Sequence, residues 1–143
     1  MKNPINAKYS DPKKLNEIYT ANKPYPHIVL DNFIDETLLN TILDEFPDLS
    51  KVKSREEHNL STETKVITKG FSDLSPKAFN LFSYLNSDLF LAYLQKLTGI
   101  KELLVSDPYL LGGGYHETKI GGVLKVHVDF NKHSHINLDR RVN

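Results

Sequence analysis

The sequence contains no cysteine among its 143 residues. This absence excludes a disulfide scaffold, a thiolate zinc site and a cysteine nucleophile. An excess of either charge is also missing, since 18 Lys and Arg residues balance 18 Asp and Glu residues. The composition is therefore unlike that of proteins that bind nucleic acids or anionic membranes, which are strongly basic.

Long apolar runs are missing as well. No stretch approaches the roughly 20 apolar residues that a membrane-spanning helix needs, and residues 1–8 lack the apolar segment of a signal peptide. We therefore expect a soluble, cytoplasmic protein with neither a nucleic-acid nor a membrane partner. The length and apolar content fit one globular domain, and no repeat, low-complexity tract or Gly/Ser linker divides the chain.

Four helices are predicted from capping residues followed by apolar residues at helical spacing. They begin after Ser10, Asp35, Ser75 and Ser87, and the last ends before Gly99. Prolines near the first turn strengthen the first and third of these predictions.

Strands are predicted mainly after Gly99. The β-branched pair at 28–29 favours a short strand, and the polar stretch 48–70 is expected to be an exposed loop with a brief strand at 66–67. Further strands are predicted at 103–105, 109–111, 115–120 and 123–130, the last two forming a β-hairpin around the Gly-Gly pair at 121–122.

Helices first and strands last predict an α+β fold, with the N-terminal helices packed on the opening strands of a jelly roll. A jelly roll has eight strands, which need more chain than follows residue 103, so we expect it to be incomplete at the C-terminus. Residues 1–143 would form one domain: an N-terminal extension with a helix (1–23), a mainly helical support (24–100) and the first jelly-roll strands (101–143).

The sharpest chemical signal is the His127-Val128-Asp129 triplet. On a strand, residues two apart lie on the same face, so His127 and Asp129 would point into one space. Two polar groups facing inward from an otherwise apolar strand would cost about 2–7 kcal/mol each unless they are ligated, paired or hydrated. An imidazole and a carboxylate with open positions are typical of the 2-His-1-carboxylate facial triad that holds non-haem Fe(II), so we predict that both residues are metal ligands.

Other residues offer alternatives to this interpretation. A small zinc-binding protein would use His127, Asp129 and either His133 or His135. The glycines at 112–114 lack the Gly-Lys-Ser/Thr of a phosphate loop and indicate permissive backbone at a strand edge. Of the arginines at 140 and 141, a strand would turn only one inward to pair with a carboxylate.

Four stretches together resemble a known family. They are Gly-Gly-Gly-Tyr-His at 112–116, Gly-Gly-Val-Leu-Lys-Val-His-Val-Asp-Phe-Asn-Lys-His at 121–133, Leu-Asp-Arg-Arg-Val-Asn at 138–143 and Tyr-Pro-His-Ile-Val-Leu-Asp-Asn-Phe-Ile-Asp at 25–35. They resemble the Fe(II)/2-oxoglutarate-dependent dioxygenases of the prolyl 4-hydroxylase-like group.

The resemblance implies a double-stranded β-helix that binds Fe(II) and 2-oxoglutarate. Oxidative decarboxylation of this co-substrate would be coupled to hydroxylation of a small-molecule or peptide substrate that the sequence does not identify. His127 and Asp129 match the two proximal metal ligands, and His116 matches a cofactor-binding position beside the metal and 2-oxoglutarate. No further catalytic residue is assigned.

In this family the distal His ligand and the basic clamp for 2-oxoglutarate lie beyond the point that corresponds to residues 141–143. The leading hypothesis is therefore a fragment of a longer dioxygenase that is inactive alone. The alternatives are half of a split enzyme completed by a complementary polypeptide, a relative that has lost activity, and a non-catalytic interaction module that pairs its open sheet edge with a second chain.

Overall fold

The computed structural model describes residues 3–142, and in this part of the chain four α-helices follow the predicted capping residues. The helices are α1 (Pro12–Ala21), α2 (Glu36–Asp44), α3 (Pro76–Leu85) and α4 (Asp88–Thr98). The side chains that accept a hydrogen bond from a first-turn amide are Asp11, Asp35, Ser75 and Ser87. The helix predictions are confirmed, with the difference that Asp11 rather than Ser10 caps α1.

The described residues fall into two compact units. The first runs to Phe46 and includes Ser75–Ser106, so it holds all four helices; the second combines Pro47–Leu74 with the chain from Asp107 onward. Helices and an antiparallel sheet are both present, which confirms a mixed α and β composition. The jelly roll, the packing of helices on its strands and the single domain stay predictions.

The interior of the first unit is apolar and partly aromatic. Phe90 stacks on Tyr93 with ring centroids 5.7 Å apart, and Phe33 lies beside both rings. The Asn16 amide donates to the Leu97 carbonyl oxygen at 2.8 Å, which ties α1 to α4. The buried side chains here include Ile5, Leu15, Ala78, Leu81, Phe90 and Leu97.

The strand predicted at 28–29 is wrong, because these residues belong to no ladder and Val29 is exposed. The pairing falls slightly later instead. The Asn6 amide donates to the Phe33 oxygen at 2.8 Å, and the Asp35 amide donates to the Pro4 oxygen at 2.9 Å. A β-branched pair favours extended backbone, but only a neighbouring segment makes it a strand.

The second unit contains a three-stranded antiparallel sheet in the order β1 (Glu56–Leu60), β2 (Glu63–Ile67) and β3 (His116–Glu117). The brief strand at 66–67 is confirmed within β2, but the exposed loop predicted around it is wrong, because β1 and β2 form a hairpin. The polar residues of β1 have low strand propensity. Their cross-strand partners compensate, as in the 2.6 Å contact between His58 Nδ1 and Glu63 Oε1.

The predicted strands at 103–105, 109–111 and 123–130 are also wrong, and only His116–Glu117 of the stretch 115–120 is a strand. The hairpin around Gly121 does not form, since both of its arms bond to β2. The Thr68 amide donates to Tyr115 O at 2.9 Å and the Thr64 amide to Val123 O at 2.7 Å. β1 occupies only one edge of β2, so both arms pair along the other edge, and this pairing satisfies backbone groups of both arms.

Residues 118–123 are looped out of this edge. Glu117 pairs with Val66 and Leu124 bridges to Glu63, so these six residues lie opposite only residues 64 and 65 of β2, and the last of them, Val123, accepts the Thr64 amide. In the part of the chain described, no helix is long and apolar enough to cross a membrane.

Candidate metal site around His127 and Asp129

His127 and Asp129 lie in an exposed segment that leaves the sheet after Leu124. Their side chains are 50% and 46% exposed, and His127 Nε2 is 3.5 Å from Asp129 Oδ1. The two predicted ligands are thus together, although the segment is not a strand. The predicted apolar surroundings are also wrong, since Val126 and Val128 are 105% and 93% exposed, so no desolvation cost forces ligation.

The backbone sets the tautomer of His127. Its Nδ1 atom is 2.7 Å from the carbonyl oxygen of Lys125, which only accepts hydrogen bonds. We therefore assign the proton of the neutral ring to Nδ1, which leaves the unprotonated Nε2 3.5 Å from Asp129 Oδ1. Two acceptors at this distance repel one another unless a proton or a metal cation lies between them.

The separation of these two atoms suits a shared metal ion. Ligand atoms about 2.1 Å from a metal are about 3.0 Å apart at neighbouring octahedral positions and about 3.4 Å apart at tetrahedral ones. The observed 3.5 Å needs only a small adjustment to reach either value. Imidazole nitrogen and carboxylate oxygen are common ligands of Fe(II) and Zn(II), so the two residues fit two positions of such a site.

Arg140 approaches the same carboxylate from its other oxygen. Its Nη1 atom is 3.6 Å from Asp129 Oδ2, and its guanidinium lies over the Phe130 ring at 4.2 Å from the centroid. Stacking on an aromatic face and attraction to the carboxylate both hold the guanidinium in place. Asp129 is thus oriented with one oxygen towards His127 and the other towards Arg140.

Among residues 3–142, no three His, Asp or Glu side chains are grouped closely enough to hold a metal ion. His116 therefore does not join His127 and Asp129. It lies on β3 opposite Ile67. Partial desolvation lowers the pKa of His116, and the positive charge of Lys65 lowers it further, while Glu63 opposes this shift. Its assignment to 2-oxoglutarate binding stays a prediction.

The zinc site that would add His133 or His135 is not assembled either. His133 Nε2 is 3.0 Å from Asp107 Oδ1, and its Nδ1 accepts the amides of His135 and Ile136. Both ring nitrogens of His133 are thus engaged. Sequence reasoning missed Asp107; the available signal was the Asp107-Pro108 pair, because Asp before proline favours a turn that its own side chain caps.

The arrangement of His127, Asp129 and Arg140 is able to hold a divalent cation through two atoms. Its half-exposed position leaves the remaining coordination positions to other groups. No protein-family model, curated protein or solved structure matches the chain.

Proposed function

We propose that this chain supplies two metal ligands, His127 and Asp129, to the active site of an Fe(II)/2-oxoglutarate-dependent dioxygenase of the prolyl 4-hydroxylase-like group. One observation carries the proposal: Nε2 of His127 lies 3.5 Å from Asp129 Oδ1 while Nδ1 contacts the Lys125 carbonyl oxygen. A backbone partner on the second ring nitrogen is the usual arrangement of histidines that bind metals. The resemblance of residues 112–116, 121–133 and 138–143 to that group adds support.

The residues would act in distinct ways. The His127 lone pair and Asp129 Oδ1 would bind Fe(II), and Arg140 would keep the Asp129 carboxylate turned towards the metal. His116 is the candidate for contact with 2-oxoglutarate. The bound iron would supply oxidative decarboxylation of 2-oxoglutarate coupled to hydroxylation of a small-molecule or peptide substrate.

A facial triad has three protein ligands, so the third ligand, a second histidine, and the 2-oxoglutarate clamp would come from polypeptide outside residues 3–142. Two ligands leave most coordination positions to water. The chain by itself would therefore bind metal weakly and would not catalyse turnover.

Metal binding by the 143-residue chain is tested with Mn(II), which broadens the NMR signals of nearby nuclei. We expect broadening centred on residues 127–129, and a reduction of about ten-fold or more in affinity for His127→Ala and Asp129→Ala. His135→Ala is the matched control, because His135 is also an exposed histidine of the second unit. Equal broadening in the wild-type chain and in both ligand variants would refute the site.

The reaction is tested with the full polypeptide that the gene encodes, supplied with Fe(II), 2-oxoglutarate and oxygen. Succinate should be released, and His127→Ala or Asp129→Ala should abolish its release. A polypeptide with both ligands intact that neither binds iron nor consumes 2-oxoglutarate would contradict the assignment to this group.

A second candidate function is an interaction module without catalysis. It is favoured by the segment 125–130, which joins no strand and presents the fully exposed side chains of Val126 and Val128. A complementary polypeptide would add a strand here and cover both valines. Isolation of a stable heterodimer that lacks bound iron would favour this function over the dioxygenase.

A further inference from the structure

Two turns of the second unit are joined by one side-chain pair. Asp107 lies at the start of the turn 107–111, and His133 lies at the start of the turn 133–138. His133 Nε2 donates to Asp107 Oδ1 at 3.0 Å. The His133 side chain is 10% exposed, so this contact is largely shielded from water.

Both partners of this pair also accept hydrogen bonds from backbone amides. Asp107 also accepts the amide of Tyr109 at 2.8 Å and that of Leu111 at 2.6 Å. His133 Nδ1 accepts the amides of His135 at 3.1 Å and Ile136 at 3.3 Å. Each turn therefore depends on polar atoms of the pair. A His133→Leu substitution would remove the contacts of His133, because leucine has no hydrogen-bonding group in its side chain.

The turn that His133 closes also places Arg140. The His133 amide donates to the Leu138 oxygen at 3.0 Å, and the Arg140 amide donates to the Asn131 oxygen at 2.8 Å. Lys132 and Asp139 form an antiparallel bridge between these two hydrogen bonds. The backbone of Arg140 is consequently bound to Asn131, which lies two positions after Asp129.

The turn that Asp107 closes touches Arg140 from the other side. It leads into Gly112, where an added Cβ atom would lie 3.3 Å from Phe130 Cε1 and 3.9 Å from Arg140 Nη2. The stacked Phe130 and Arg140 side chains therefore lie against the backbone of this turn. Of the two turns joined by the His133–Asp107 pair, one thus places the Arg140 backbone and the other leads to Gly112 beside the Arg140 guanidinium.

We propose that His133 is a positioning residue for the candidate metal site. Through Asp107 it holds the two turns together, so that Arg140 stays stacked on Phe130 and faces Asp129 Oδ2 while Oδ1 remains turned to His127. The consequence for metal binding rests on the proposed function, whereas the placement of Arg140 is independent of it.

The placement is tested by NMR on the 143-residue chain. In the wild type the Phe130 ring current should shift the side-chain protons of Arg140. His133→Leu should bring these shifts close to those of a solvated arginine, while the amide signals of α1–α4 and of β1 and β2 stay in place. His135→Leu is the control, since the His135 ring packs beside Tyr109 in the same turn region and is not a member of the His133–Asp107 pair.

Conservative variants keep the test decisive if His133→Leu fails to fold. His133→Gln keeps a donor and an acceptor and should restore part of the Arg140 shift. Asp107→Asn keeps the size of the side chain but loses an acceptor, and should reduce the shift. An unchanged Arg140 shift in folded His133→Leu would overturn the proposal. If His133→Leu does not fold, an unchanged shift in each of the two single variants, Asp107→Asn and His133→Gln, would overturn it.

Mn(II) titration then separates the two proposals. We expect His133→Leu to bind Mn(II) about ten-fold more weakly than the wild type. Unchanged Mn(II) affinity, in a variant that has lost the Arg140 shift, would refute the role of His133 in metal binding. A wild-type chain that binds no Mn(II) contradicts the proposed function and, with it, the consequence for metal binding; the placement of Arg140 is still decided by its shift.

Discussion

Thr68 is a buried polar residue of the second unit, with 1% of its surface exposed. Its hydroxyl accepts the Tyr115 amide at 2.9 Å, and its own amide donates to the Tyr115 oxygen at the same distance. Both Tyr115 backbone groups therefore depend on one residue. A single side-chain oxygen thus helps to attach residues 114–124, the edge segment that pairs along β2 and leads to the candidate site.

Thr68→Val keeps the shape of this side chain but leaves the buried Tyr115 amide without its acceptor. We expect the free energy of unfolding to fall by about 1–3 kcal/mol. The measurement is urea unfolding, with Thr62→Val as control, because Thr62 is an exposed residue of the turn between β1 and β2. Equal stability of the two variants would show that the hydroxyl contributes nothing.

Asp107 makes stability depend on pH. Burial raises its pKa, but hydrogen bonds from the Leu111 and Tyr109 amides and from His133 outweigh this and lower the pKa below the ordinary value of 3.8. A carboxyl group whose folded-state pKa is lowered stabilises the fold above its unfolded pKa, and this contribution is lost as pH falls through the folded-state value.

We therefore expect the wild type to melt several degrees above Asp107→Asn near pH 6, and this difference to shrink below about pH 4. Thermal unfolding of both proteins across this range measures it. Because Asp48 and Glu63 also have lowered pKa values, only the difference between the two proteins isolates Asp107. A difference that is constant with pH would contradict the assignment.

At the scale of the elements, helices were predictable because their signals are local. The caps at Asp35, Ser75 and Ser87 lie within four residues of the amides they bind, so a short window of sequence contains the whole pattern. Strands depend on distant partners. The polar residues 56–60 form β1 because residues 63–67 pair with them, whereas the apolar residues 103–105 have no partner strand.

Glycine at 114 is required by the approach of the edge segment to β2. Gly114 has φ +137°, and an added Cβ atom would lie 2.5 Å from the Thr68 carbonyl oxygen. Gly121 also has positive φ, at +84°, but a Cβ atom there would meet nothing within 4 Å. A Cβ atom would therefore strain the backbone at both positions, but only at Gly114 would it also overlap a neighbouring atom.

Gly114→Ala should consequently lower the free energy of unfolding by about 3 kcal/mol or more, since strain and overlap add, and Gly121→Ala by only about 1–2 kcal/mol. Chemical denaturation of the two variants measures the difference. Similar losses would show that β2 and the edge segment separate easily.

At the scale of the whole molecule, the sequence predicted the contact of His127 with Asp129 but for an incomplete reason. The predicted strand would have put both side chains on one face, yet the structure brings them together in irregular backbone. The contact of Arg140 with Asp129 was not predictable, because it depends on irregular backbone between the two residues. The contact of His133 with Asp107 was not predictable, because it joins two turns that are distant in the sequence.

Val126 and Val128 are fully exposed in the chain as described. Val126→Thr combined with Val128→Thr should therefore change its free energy of unfolding by less than about 0.5 kcal/mol. In the heterodimer of the second candidate function both valines would be covered by the complementary polypeptide, and the same double variant should cost on the order of 2 kcal/mol. Urea unfolding of the chain and of the heterodimer tests this, and equal effects would count against covering of the segment.

The loop at residues 118–123 provides a convenient site for insertions. It faces only two residues of β2, Ile120 is fully exposed, and space is open around Gly121. The cost of lengthening a flexible loop grows only slowly with its length. A short affinity tag inserted between Ile120 and Gly121 should thus be accepted without breaking the pairing on either side, and would let the chain be immobilised with residues 125–130 available to a binding partner.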